Sequence, residues 1–166
     1  MTPAPPDERL CERILSGIDR QEVVDLECGL VAIPSFTTEE TELARFIVAR
    51  IHAFGLEACL QEVPLSGGSV GHNVISCLRG SGGGPTLLFF GHMDHEPTLG
   101  RGYENFLGWK RNPFTPSVEG DWIYGKGSQD EKGGLCAKVD GEIVTNVRIL
   151  RYSPQASAWL TPISRI

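Results

Sequence analysis

The sequence predicts an α/β domain, a mixed sheet flanked by helices, and three observations carry that reading. Helical periodicity fills the first third of the chain, with apolar residues recurring three and four positions apart. Short strand-like stretches bounded by Gly, Pro and Ser follow it. Beyond them Leu87-Leu88-Phe89-Phe90 is an unbroken apolar run, which reads as an interior strand covered on both faces. That strand leads into Gly91-His92-Met93-Asp94-His95, a dense group of metal-binding and acid–base side chains. Ligands of open α/β sheets bind beyond the carboxyl ends of strands, so the chemistry is expected here. His92 and Asp94 stand at i and i+2 and leave the same face if the strand continues that far.

Residues 1–6 form a Pro-rich leader, expected to be disordered. Leu10, Ile14 and Ile18 then recur at helical spacing, with a break expected at Ser16-Gly17. Asp19-Arg20-Gln21-Glu22 resembles a capping box, and Val23, Leu26, Leu30 and Val31 continue as a helical stripe that Pro34 stops. A second capping box, Thr37 with Glu40, opens a helix whose face is Leu43, Phe46, Ile47, Ile51 and Phe54. Gly55 falls where a helix-terminating glycine belongs. Residues 56–63 and 72–79 are the next strand candidates, and 81–85 a glycine-rich turn into the apolar strand. That turn lacks the Gly-Lys-Ser/Thr ending and the following helix of a phosphate loop.

Residues 97–120 have no clear period and read as a long loop, packed through Trp109 and Phe114. Asp121–Tyr124 reads as a short strand. The glycine-rich bend Gly125–Gly134, with Asp130 near its centre, allows close backbone approach to an ion or ligand. Leu135 opens a helix expected to break at Val139-Asp140-Gly141. Character changes after Lys138. Residues 1–138 hold 19 acidic and 12 basic side chains, whereas residues 139–166 hold two acidic against three basic. The chain is therefore divided at 138/139, with a poorly packed tail expected beyond and a possible strand at 142–151.

Composition excludes several function classes. A net charge of −6 disfavours nucleic-acid binding through a basic surface. No apolar run approaches the roughly 20 residues of a membrane span, and the first residues lack a signal peptide's basic and apolar regions. Five widely spaced cysteines without a CxxC pair point to reduced thiols in the cytoplasm.

His92 offers the imidazole nitrogen that zinc favours, and Asp94 can hold its other ring nitrogen. Asp130 can supply carboxylate oxygens to the same ion, or bridge two ions about 3.5–4 Å apart. His95 and Glu96 read as a solvated rim or hydrogen-bonded structure, His52 as an exposed helix residue and His72 as structural. Lys126 and Lys132 can meet a substrate carboxylate, although exposed lysines are the plainer reading.

The motifs Gly-His-Met-Asp-His-Glu-Pro (91–97), Trp109 with Asn-Pro-Phe (112–114), and Gly-Asp-Trp-Ile-Tyr-Gly-Lys-Gly-Ser-Gln-Asp-Glu-Lys-Gly-Gly (120–134) come in a telling order. With Val-Ala-Ile-Pro-Ser-Phe-Thr (31–37), they resemble the zinc hydrolase family of acetylornithine deacetylase, succinyl-diaminopimelate desuccinylase, aminoacylase and glutamate carboxypeptidase. The resemblance spans about residues 20–138. It implies a zinc-exopeptidase-like catalytic domain holding two Zn2+ ions, with Co2+ as a substitute. His92 is then a ligand of one zinc, Asp130 the bridging carboxylate, and Asp94 the catalytic-site residue that orients His92. It further implies amide hydrolysis of N-acyl amino acids or peptides.

The chain departs from that family after Lys138. No Glu-Glu pair follows Asp130 and no histidine follows His95. The family's base and remaining ligands, and the domain through which members often dimerise, are thus missing from the expected pattern. A truncated or frameshifted amidohydrolase, inactive alone, is the reading that follows. The alternative is a non-catalytic remnant that binds metal weakly or binds a partner chain.

Overall fold

A computed structural model of the chain describes residues 7–79, 86–95, 112–144 and 157–162. Helices α1 (Glu8–Leu15), α2 (Arg20–Ala32) and α3 (Thr41–Ala53) come first. Strands β1 (Ala58–Pro64), β2 (Val70–Leu78) and β3 (Thr86–Gly91) follow, then a small hairpin of β4 (Ser117–Glu119) and β5 (Trp122–Tyr124). Helix α4 (Gly133–Val144) and strand β6 (Ser157–Pro162) complete the described elements. The main sheet has the order β1-β2-β6-β3, antiparallel except that β6 and β3 run parallel. It is a mixed sheet with helices packed on it, as the sequence predicts.

Local chemistry sets the helix ends. Asp19 caps α2 by accepting hydrogen bonds from the backbone N–H groups of Gln21 and Glu22, which satisfies two donors that the helix cannot. Gly55 follows α3 at φ +77, a left-handed conformation that closes a helix without a Cβ penalty. Helix α3 lays Leu43, Ala44, Ile47 and Ile51 against β1 and β2, where Val74 lies beneath it. Leu26 and Leu30 of α2 and Leu135 and Val139 of α4 join the same core. Each such large side chain contributes about 1.5–3 kcal/mol through burial.

Local expectations need correction at several points. Strand β3 is an edge strand, and Leu87, Leu88, Phe89 and Phe90 are all exposed. An unbroken apolar run records that both faces suit burial, but not which elements supply the cover. Helix α3 begins at Thr41 rather than beside Thr37. Thr38 takes φ +76 and Phe36 bridges to His95, so Thr37 is drawn away from the helix axis.

Helix α4 continues through Val139-Asp140-Gly141 to Val144, where a break was expected. An internal glycine costs about 1 kcal/mol, which the buried Leu135, Cys136 and Val139 offset. Beyond α4, strand β6 lies between β2 and β3 in the sheet. Its Trp, Leu and Thr suit a strand. The strand considered at 142–151 begins inside α4, and its remainder lies outside the described residues. The hairpin strand β4 falls within the stretch expected to be loop. Trp109, the 81–85 turn and the leader lie outside the described residues.

The contrast between α3 and β3 is measurable. Ile47→Ala should lower unfolding stability by about 3 kcal/mol, because it empties a fully buried position. Leu88→Ala, at a position 56% exposed, should cost less than about 1 kcal/mol. Urea unfolding midpoints of the two variants provide the comparison, and equal losses would place β3 in the interior after all.

Candidate metal centre

The site forms where β3 ends. Gly91 is buried, and a Cβ there would collide with the Glu131 carboxylate and crowd the Lys138 ammonium. A side chain at this position would have to push those two flexible side-chain ends aside. Glu131 Oε1 accepts from the His92 backbone N–H at 3.0 Å and from Lys138 Nζ at 2.8 Å. This ties the strand end to α4.

The His92 ring is held from both sides. Its Nδ1 lies 3.0 Å from the Asp94 carbonyl oxygen and 3.1 Å from Asp94 Oδ1. Both are acceptors, so Nδ1 carries a proton and donates. Nε2 lies 2.8 Å from Asp130 Oδ1. Burial pulls the His92 pKa down, but the Asp94 carbonyl, the Asp130 carboxylate and the charges of Glu131 and Asp94 together raise it above its ordinary value. Asp130 projects from a single wide helical turn, Ser128–Lys132, with its own backbone extended at φ −132 and ψ 94. Its side chain is 85% exposed and faces an open cavity of about 890 Å³ shared with His92, Asp94, Trp122, Tyr124 and Lys126. The Asp130–Glu131 peptide bond is cis.

The sequence-predicted trio His92, Asp94 and Asp130 thus comes together at one place. His95 is buried beside it and serves structure. Its Nε2 accepts from the Ser35 N–H at 3.0 Å, its own N–H donates to the Ser35 carbonyl at 2.9 Å, and its ring stacks on Phe114. With that lone pair engaged, Nε2 has no capacity left for an ion. His52 bonds the backbone of Ala58, and His72 meets Thr41 Oγ1. Glu96 lies outside the described residues.

Lys132 departs from its expected place. It is 1% exposed, and its ammonium donates to the Ile33 carbonyl at 2.6 Å, so it does not meet a substrate. Its counter-charge is Glu27 on α2, 5% exposed. Burial raises Glu27 to about 7 against the pull of Lys132. Burial likewise lowers Lys132 to about 8, with Glu27 opposing.

Thr37 is the residue that sequence reading missed. Its hydroxyl donates to Asp94 Oδ2 at 2.8 Å, leaving Oδ1 for His92. The 31–37 motif carried the signal, since Thr37 closes it, but reading it as a helix cap hid the role.

A scan against models of protein families finds no match. Individual relatives are clear. The chain is 32% identical over 117 residues to succinyl-diaminopimelate desuccinylase of Stenotrophomonas maltophilia, covering 70% of this chain and 28% of that protein. It is 30% identical over 133 residues to a putative [LysW]-lysine/[LysW]-ornithine hydrolase of Pyrococcus abyssi, covering 80% and 32%. The chain belongs to the zinc metallohydrolase family. It spans about 28% of the length of the curated relatives it matches.

Solved structures show the same fold. The yeast dipeptidase Dug1p from Saccharomyces cerevisiae superposes with a TM-score of 0.72 at 16% identity, covering 93% of this chain and 34% of that one. Human carnosine dipeptidase 1 gives 0.69 at 21% identity, covering 97% and 35%. The fold class is therefore the mixed α/β fold of these structures, of which the chain covers about a third.

Two outcomes test the geometry. Thr37→Val removes a donor from a carboxylate that is mostly shielded, and should cost about 1 kcal/mol of stability in urea unfolding; no loss would mean that Thr37 does not hold Asp94. Glu27 predicts a pH dependence. Its folded value of about 7 exceeds the ordinary 4.5, so the folded state binds the proton more tightly. Stability then falls as pH rises from about 4.5 to about 7. Glu27→Gln should remove that fall, which is on the order of 2 kcal/mol between pH 5 and 7.5. Parallel unfolding curves at pH 5 and 7.5 read the difference.

Proposed function

We propose that this chain is the metal-anchoring N-terminal part of a hydrolase that cleaves the amide bond of N-acyl amino acids or peptides. The observation supporting it is the His92 ring, whose Nδ1 is fixed on Asp94 while Nε2 faces the Asp130 carboxylate. A carboxylate–histidine pair of this kind sets the tautomer and raises the ring's basicity toward a metal. An imidazole nitrogen and a carboxylate oxygen are donors that suit zinc, with cobalt as a substitute. His92 and Asp130 would hold the ion, and Asp94 would orient His92. When bound, zinc supplies a Lewis acid that polarises an amide carbonyl and acidifies water.

The donor set is incomplete among the described residues. Among the described residues no group of three His, Cys, Asp or Glu side chains could hold an ion, whereas a structural site needs about four ligands. Strand β6 runs parallel to β3 with Pro162 opposite Gly91, so its carboxyl end lies beside His92. That end reads Leu160-Thr161-Pro162 and brings no carboxylate to act as a base. Glu131 is occupied by His92 N–H and Lys138. A general base contributes typically 10²–10⁴-fold, so the chain by itself binds metal weakly and does not turn over substrate. Its five cysteines are all free thiols, which supports a cytoplasmic location. Among the described residues no helix is long and apolar enough to cross a membrane.

Metal analysis after dialysis against zinc-free buffer should find less than one retained ion per chain. A panel of N-acyl amino acids and dipeptides with added zinc or cobalt should show no hydrolysis above background. Two retained ions per chain, with turnover abolished by His92→Ala, would refute the proposal that the chain is inactive alone.

A further inference from the structure

The β1–β2 hairpin carries two thiols on the face turned away from α3. Cys59 of β1 stands opposite Ile75 of β2, and Cys77 follows Ile75 by two residues. Side chains alternate along a strand, so Cys59, Ile75 and Cys77 share one face. Ala58, Leu60 and Val74 take the other face, in the core beneath the helix. Cys59 is exposed, Cys77 is half-buried, and both are free thiols. They line a cavity of about 460 Å³ together with Leu56 and Ile75. This cavity has no lining residue in common with the cavity at His92.

Spacing decides what the two thiols can do. Diagonal cross-strand neighbours stand about 7–8 Å apart. A disulfide needs its sulfurs about 2.05 Å apart and its Cα atoms within about 6.8 Å. Two thiolate–metal bonds of about 2.3 Å each place the sulfurs about 4.6 Å apart, which suits the wider spacing. The neighbouring groups do not raise the donor number. His52 Nε2 is taken up by the Ala58 backbone at 2.9 and 3.3 Å, and Glu57, which also lines the cavity, offers only hard oxygen donors. Among the described residues no group of three His, Cys, Asp or Glu side chains could hold an ion, whereas structural zinc takes four donors. Two soft donors suit a soft ion that accepts two-coordination, and Cu(I) is such an ion.

We propose that Cys59 and Cys77 form a soft-metal site on the outer face of the hairpin, holding one Cu(I) ion between two thiolates. Each thiol gives up its proton on binding, so two protons leave for each ion bound and affinity rises with pH. The other thiols stand apart from this pair. Cys136 is buried and donates to the Val23 carbonyl at 3.4 Å. Burial, and then the charges of Glu27 and Asp25, push the Cys28 thiol up, away from the thiolate form. The inference does not draw on the His92 centre, whose nitrogen and oxygen donors suit zinc.

The test uses the full chain, reduced and kept free of oxygen, with Cu(I) as the probe and a coloured Cu(I) chelator as competitor. The wild-type chain should retain one Cu(I), and the bound ion should protect Cys59 and Cys77 together from alkylation, as read by peptide mass spectrometry. Cys59→Ser and Cys77→Ser should each weaken retention by more than about 100-fold, beyond the about 10–100-fold typical of residues that only support a ligand. Cys11→Ser should leave it unchanged. Should Cys77→Ser fail to fold, Cys77→Ala brings no hydroxyl into the half-buried position and should show the same loss. A wild-type chain that yields all its Cu(I) to the chelator overturns the proposal. So does protection of only one of the two thiols, or retention that survives either substitution.

Discussion

The site depends on a clasp between two stretches far apart in sequence, Ser35–Thr37 and Met93–His95. Ser35 Oγ donates to the Met93 carbonyl at 2.7 Å, Ser35 and His95 exchange bonds through backbone and ring, and Thr37 reaches Asp94. Strand β3 stops at Gly91, so no ladder of sheet hydrogen bonds holds the residues that follow it. The clasp replaces that ladder. Buried polar networks have this rigidity when every member is satisfied, and the clasp thereby transfers the order of the helical layer to His92 and Asp94.

The clasp also explains what was legible in the sequence. The meeting of His92, Asp94 and Asp130 could be read because each sits inside a short motif of polar residues at the end of a strand or in a glycine-rich bend. The helix ends at Asp19 and Gly55 could be read because capping is local. Thr37 could not, because its partner is 57 positions away, and a threonine followed three residues later by a glutamate has a plausible local use. Lys132 was misread for the same reason. A lysine among glycines looks exposed unless its buried counter-charge is known, and Glu27 lies on a helix of ordinary appearance. The edge position of β3 was hidden differently, since strand order is a property of topology and not of composition.

The parallel pairing of β3 with β6 bears on how this chain reaches its fold. Thr86 pairs with Ser157, a separation of 71 positions, whereas β1 and β2 form a local hairpin. Loop closure of that length is entropically costly before the pairing rewards it. During synthesis, the row of peptide groups along β3 waits without its neighbour until the β6 segment has left the ribosome. Through that interval four apolar side chains stand beside open hydrogen-bonding edges, the combination that recruits other nascent strands. Slower translation would lengthen the exposure, so the yield of native chain should depend on the rate of elongation and on chaperones that cover strand edges.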